Sequence, residues 1–229
     1  MPDASLPILF LGILAGVAAL VLKGTKHLRD SDEYTVDSPD RWPGISVIVP
    51  VTGSDPRMVE HLESLLLQHY PSSYEVVFTT RDPADPATAI VRRLVDRYPR
   101  ARQVLAGEAH GCGQKNRNLL AGVTAVSPDS EVLVFCDGTR LAPQQWLKEL
   151  VRPIALGQAV VASGLHYGIV DDMKAAGLGQ AITILLITLL RCFKGFNQPW
   201  GGSTAILRQV FEELQVARTW ASNVVDDVS

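Results

Sequence analysis

From residue 45 onward, short apolar runs alternate with segments of helical period, the pattern of strands joined by crossover helices in a mostly parallel sheet. ISVIVPV at 45–51 reads as a buried strand, and Asp55 is expected to cap the next helix with Pro56 at its first position. Val59, Leu62, Leu66 and His69 then recur at helical spacing. YEVVFTT at 74–80 is the second strand; the turn-rich RDPADPA follows, and then a helix with Ile90, Val91, Leu94, Val95 and Tyr98 on one face. Residues 102–106 form a weak third strand, and a glycine-bearing loop at 107–113 leads into a helix over 114–126. EVLVFC at 131–136 is the best central strand, ended by Asp137, and further strands are expected at 159–164 and 203–208. The fold class is therefore α/β.

The stretch before this pattern is of another kind. Residues 6–22 carry no charge and reach the lower end of the roughly 17–25 residues that span a bilayer as a helix. Asp3 precedes them without any Lys or Arg, which argues against a cleaved signal peptide. Lys23, Lys26 and Arg29 follow directly, so the positive-inside tendency puts the rest of the chain on the cytoplasmic side. The expected organisation is a membrane anchor at 1–29, a polar linker at 30–44 and a folded domain at 45–229. A second apolar segment, 178–190, is short for a span and is expected to lie against the core or in the membrane interface.

Composition narrows the partners. A formal net charge of −3 gives no global attraction to a phosphate backbone, so nucleic acid is not an expected partner. Cys112, Cys136 and Cys192 form no C-x-x-C pair and suggest neither a disulfide framework nor a zinc cluster. The five histidines likewise show no metal-ligand spacing.

In an open α/β sheet, ligands bind outside the carboxyl ends of the strands. Asp82 stands there after the second strand, where its carboxylate is placed to meet a base or ribose; the alternative is that Asp82 or Asp85 forms an Asx turn or caps the next helix. Asp137 ends the central strand. The helical sequence that follows offers no partner strand for a hairpin at Asp137-Gly138, which leaves a carboxylate able to ligate a hard divalent cation. Thr139 occupies the position where an Asp-x-Asp pair would supply a second acid. The loop before the 114–126 helix offers Gly111 and Gly113 for close backbone approach and Lys115 as a cation, without the Gly-Lys-Ser/Thr of a P-loop. Trp200, Gly201 and Gly202 combine an aromatic face with flexible backbone, suiting either a sugar or lipid pocket or a turn packed by its tryptophan. Asp226 and Asp227 are candidates for a general base, or a helix start or solvated tail. Asp171 and Asp172 fit a helix cap.

Taken in order, SVIVPV, SLLLQHYPSSYEVVF, RDPADPA with Asp82, GCGQKNRNLLAG with Lys115 and Asn118, VFCDGTRLAP with Asp137, and PWGGSTAILR before Asp226-Asp227 resemble a family-2-type glycosyltransferase of the GT-A fold. The resemblance is narrower to the ceramide-glucosyltransferase-like branch. It implies that Asp82 contacts the uracil of a UDP-sugar, that Asp137 helps hold a divalent metal, Mg or Mn, on the diphosphate, and that Asp227, beside Asp226, is the catalytic base. Lys115, Asn118, Gly111, Gly113, Trp200 and Gly201 are then expected on the donor side. The implied reaction is an inverting transfer of a hexose, glucose favoured, to a lipid acceptor such as ceramide at the membrane. The family normally continues to a Q-x-x-R-W motif and further membrane helices, so the domain is expected to be C-terminally incomplete. The alternative is a catalytically incomplete, membrane-tethered nucleotide-sugar-binding module.

Overall fold

The computed structural model describes residues 38–164 and 199–224, with helical positions at 16, 18–19, 21–23, 26, 177, 179, 182–184 and 186–187. The chain divides into two compact units, one of Met1–Ser38 with Leu165–Gln198 and one of Pro39–Gly164 with Pro199–Ser229. In the first unit, no helix among the described residues is long and apolar enough to cross a membrane. The expected span at 6–22 falls mostly outside the described residues. In the second apolar segment, Ile182 and Ile187 are helical and exposed.

The second unit is built on six strands, β1 (Ile45–Pro50), β2 (Tyr74–Thr80), β3 (Ala101–Leu105), β4 (Val132–Cys136), β5 (Val161–Ser163) and β6 (Ser203–Leu207). Their spatial order is β3-β2-β1-β4-β6-β5. β1 to β4 run parallel, and β6 is antiparallel to both β4 and β5, so the sheet is mixed and mostly parallel. Among the described residues of this unit, six helices connect or flank these strands: α1 (Met58–Leu66), α2 (Pro86–Arg97), α3 (Gln114–Thr124), α4 (Trp146–Ala155), α5 (Arg208–Glu213) and α6 (Val216–Trp220).

The apolar runs of β1 and β4 follow from helices covering both faces of the sheet. Val47 and Val49 of β1, with Val132 and Val134 of β4, pack on one side with Leu62 and Leu65 of α1, Val91 of α2, and Leu147 and Val151 of α4. Alternate residues of the same strands, Ile48, Leu133 and Phe135, face the other way onto Leu119 of α3, Phe211 of α5 and Trp220 of α6. Phe135, Phe211 and Trp220 meet edge-on or tilted at centroid distances of 4.9 to 5.7 Å.

The expected start of the first helix is corrected. Asp55 does not cap α1; its carboxylate accepts from Arg57 N at 2.8 Å and its carbonyl from Met58 N at 3.0 Å. These bonds make a local turn, and the helix begins only at Met58. The helices α5 and α6 are additional to the sequence expectations.

Candidate active site

The winding of the sheet reverses between β1 and β4, since β2 and β3 lie on one side of β1 and β4 and β6 on the other. That reversal opens a crevice at the carboxyl ends of the strands, the usual ligand position in such sheets. Asp137 immediately follows β4, and β6 pairs antiparallel with Ser203 opposite Cys136. The antiparallel pairing therefore delivers the 200–202 loop beside Asp137, whose N–H donates to the Gly202 carbonyl at 3.3 Å.

Lys115, in the first turn of α3, places its Nζ 3.0 Å from Asp137 Oδ1. Two sequence candidates 22 positions apart thus meet at the crevice, both partly open to solvent. Arg140, three positions after Asp137, lies with its guanidinium carbon 5.0 Å from the centre of the Trp200 ring, in cation–π geometry. Its Nε is buried and has no hydrogen-bond partner among the described residues. Trp200 is fixed in turn: its N–H donates to Ser163 Oγ at 2.8 Å, and its indole covers Gly202, where any Cβ would overlap the ring. Gly201 lies in the same turn. Arg140 was not singled out in the sequence, because nothing local marks an arginine four residues past a strand as facing a tryptophan 60 residues on. Burial pushes the Cys136 thiol up to about 12, with the Asp137 charge adding to the effect, so this cysteine stays a neutral core group.

Asp82 follows β2, two strands from β4, which separates the two strand ends by about 10 Å across the sheet. Its Oδ1 accepts from Ala84 N at 2.8 Å and Asp85 N at 3.1 Å, and its Oδ2 from Arg81 Nε at 2.6 Å. The Asx-turn geometry weighed for this residue is therefore present. The Arg81 bond, then the backbone donors, hold its carboxyl below the ordinary value. Asp85 caps α2 through Ala87 N at 2.9 Å and also accepts from Gly53 N and Thr52 Oγ1, both at 2.8 Å. One buried carboxylate thus pins the end of β1 to the start of α2 and shapes the crevice wall between β1 and β2.

The loop before α3 packs against the chain itself. Gly111 has φ +79°, a left-handed conformation suited to glycine. Gly113 is the N-cap of α3, and its N–H donates to Asn223 O at 3.0 Å; a Cβ there would overlap the Val224 carbonyl. The close approach at Gly113 is thus made by the tail. Asn116 donates from Nδ2 to Trp220 O and Asn223 O at 3.2 and 2.9 Å, which ties the tail to α3. Asn118 is 3% exposed, with its amide spent on Gln114 Nε2 and Thr79 O, so it joins α3 to β2. Asp226 and Asp227, with Asp171 and Asp172, lie outside the described residues.

A divalent cation can be tested against this donor set. Among the described residues no three His, Cys, Asp or Glu side chains gather into a metal site. Asp137 supplies one carboxylate, and only its Oδ1 is bonded by a described side chain. One carboxylate fits Mg or Mn where substrate phosphates and water complete the oxygen shell.

An open, mostly parallel sheet with polar groups gathered at its switch point is the form of an α/β domain that binds ligands at its strand ends. Solved structures identify its fold as GT-A. A mannosyltransferase from Pyrobaculum calidifontis in complex with GDP-Man and Mn2+ aligns with a TM-score of 0.55 at 20% identity, over 88% of this chain and 56% of that one. Glucosyl-3-phosphoglycerate synthase from Mycobacterium tuberculosis, in complex with Mn2+, UDP-glucose and phosphoglyceric acid, aligns with a TM-score of 0.51 at 16% identity, over 77% and 64% of the two chains. The chain belongs to glycosyl transferase family 21, whose model matches residues 8–228. It is similar to ceramide glucosyltransferase of Candida albicans, 33% identical over 97 residues, or 42% of this chain and 18% of that protein. Ceramide glucosyltransferase 1 of Caenorhabditis elegans is 31% identical over 113 residues, 46% of this chain and 24% of that protein. The aligned part is therefore a small share of each relative's length.

Proposed function

We propose that this chain is a membrane-anchored glycosyltransferase that moves a hexose, glucose favoured, from a UDP-sugar to a lipid acceptor such as ceramide. The observation that carries the reading is the Lys115–Asp137 pair at the switch point of a family 21 domain. Asp82 is assigned to the uracil and Asp137 to the divalent cation. Lys115 and Arg140 are assigned to the diphosphate, where cations offset the charge that grows as the sugar–phosphate bond breaks. The guanidinium suits a phosphate through its planar, paired donors, and Trp200 fixes its plane. When bound, a divalent cation supplies further neutralisation of the leaving diphosphate.

In the proposed displacement the acceptor hydroxyl gives its proton to a carboxylate, assigned to Asp227. Its oxygen bonds the anomeric carbon, and the electron pair of the broken bond leaves on UDP, inverting the sugar configuration. Residues 6–22 are assigned to the anchor, with the domain on the cytoplasmic side where a lipid acceptor is within reach of residues 45–229. The test is release of UDP from UDP-glucose with ceramide or membrane lipids present. Acceptor-dependent release supports the reading. Donor binding without release would reduce the chain to a tethered nucleotide-sugar-binding module, and absence of both would reject the assignment.

A further inference from the structure

At the end of the sheet away from Asp137, an open depression of about 850 Å³ is lined by the 68–74 loop, Pro99, Arg100, Gln145 and Lys148. It lies at the start of β2, about 20 Å along a seven-residue strand from the Asp82 end. Its size falls in the roughly 300–1,000 Å³ range of small-ligand sites.

Three observations give it a chemistry. First, His69, Arg100 and Lys148 line it and no carboxylate does, in a chain whose net charge is −3. No ion pair engages Arg100 or Lys148 among the described residues. Concave walls carrying one sign of charge focus the field on a counter-ion. Secondly, the walls are fixed before any ligand arrives. Tyr74 OH donates to Leu66 O at 2.8 Å and accepts from Gln68 N at 3.0 Å, while Tyr70 OH donates to Pro43 O at 2.7 Å. Thirdly, the Arg100 guanidinium carbon lies 4.4 Å from the centre of the Tyr74 ring, which sets the plane of its donors. Gln145 and Lys148 come from the start of α4, whose amino end adds positive partial charge.

We propose that this depression is a second binding site, separate from the donor site, for a phosphate-bearing ligand held by Arg100 and Lys148 against the tyrosine wall. A soluble phosphate ester and a phospholipid headgroup share that chemistry, and the experiment separates them. The full chain is titrated calorimetrically with inorganic pyrophosphate in the presence of saturating UDP and manganese. In parallel, its sedimentation is compared on phosphatidylcholine vesicles with and without phosphatidylserine. The double variant R100Q/K148Q is expected to weaken pyrophosphate binding, or to remove the phosphatidylserine-dependent increment, by about tenfold or more. Loss in the first arm identifies a soluble ligand, and loss in the second a headgroup. R100K, which keeps the charge but not the planar donors, is expected to fall between the two. An unchanged thermal midpoint and unchanged UDP affinity in the double variant show that the fold and donor site are intact, so failure of the donor-site reading is seen separately. Binding in both arms that the double variant leaves unaltered, or no binding in either arm, overturns the proposal.

Discussion

At the scale of single residues, the two aspartates that mark the crevice differ in how they are held. Asp137 meets a lysine from another element, whereas Asp82 spends its carboxylate on Arg81 and its own turn. The latter has a consequence for pH. The Asp82 carboxyl, through Arg81, and the Glu131 carboxyl, through Arg41, both sit below their ordinary values in the folded protein. A depressed folded value means that the stabilising contribution is present above the unfolded value and is lost as pH falls through the folded one. Thermal midpoints followed by circular dichroism are therefore expected to stay level from neutral pH to about pH 5 and to fall below about pH 4, less steeply in Asp82→Asn. Asp82 and Asp137 could be found from sequence because strand ends are readable. The Lys115 contact could be anticipated only as a cation near a helix start, and Arg140 not at all, since its neighbour Trp200 arrives through β6 pairing.

At the scale of elements, the boundaries that could be read were those set by local chemistry. β2 spans the expected 74–80, and Asp85, one of the two candidate caps in the sequence, caps α2, which opens on Pro86. The start of α1 shifted because the Asp55 carboxylate satisfies a nearby N–H before the helix begins. The helices α5 and α6 had no such local marker; Phe211 and Trp220 hold them on Phe135, a residue more than 70 positions earlier in the chain. Asp85→Ala removes a cap and two bonds to the end of β1, and is expected to cost about 1–3 kcal/mol in urea denaturation. Gly113→Ala places a methyl group against the Val224 carbonyl, three residues before Asp227. Turnover measured by UDP release is expected to fall by about tenfold or more, because small displacements of the base proposed at Asp227 are costly.

At the scale of the whole molecule, the sheet places Asp82, Asp137 and Lys115 along one edge, and the antiparallel β6 closes that edge with Trp200. This edge joins the family assignment to a proposed chemistry: a nucleotide base at β2, a diphosphate at β4, and a sugar between the tryptophan loop and the tail. Asp137 is proposed to carry the metal-dependent part of donor binding. Calorimetric titration of the full chain with UDP, with and without manganese, separates that role from a purely structural one. The expected result is that omitting manganese weakens UDP binding by about tenfold or more in the wild-type protein and changes little in Asp137→Ala. Binding in Asp137→Ala that keeps the wild-type affinity and the wild-type dependence on manganese would contradict it.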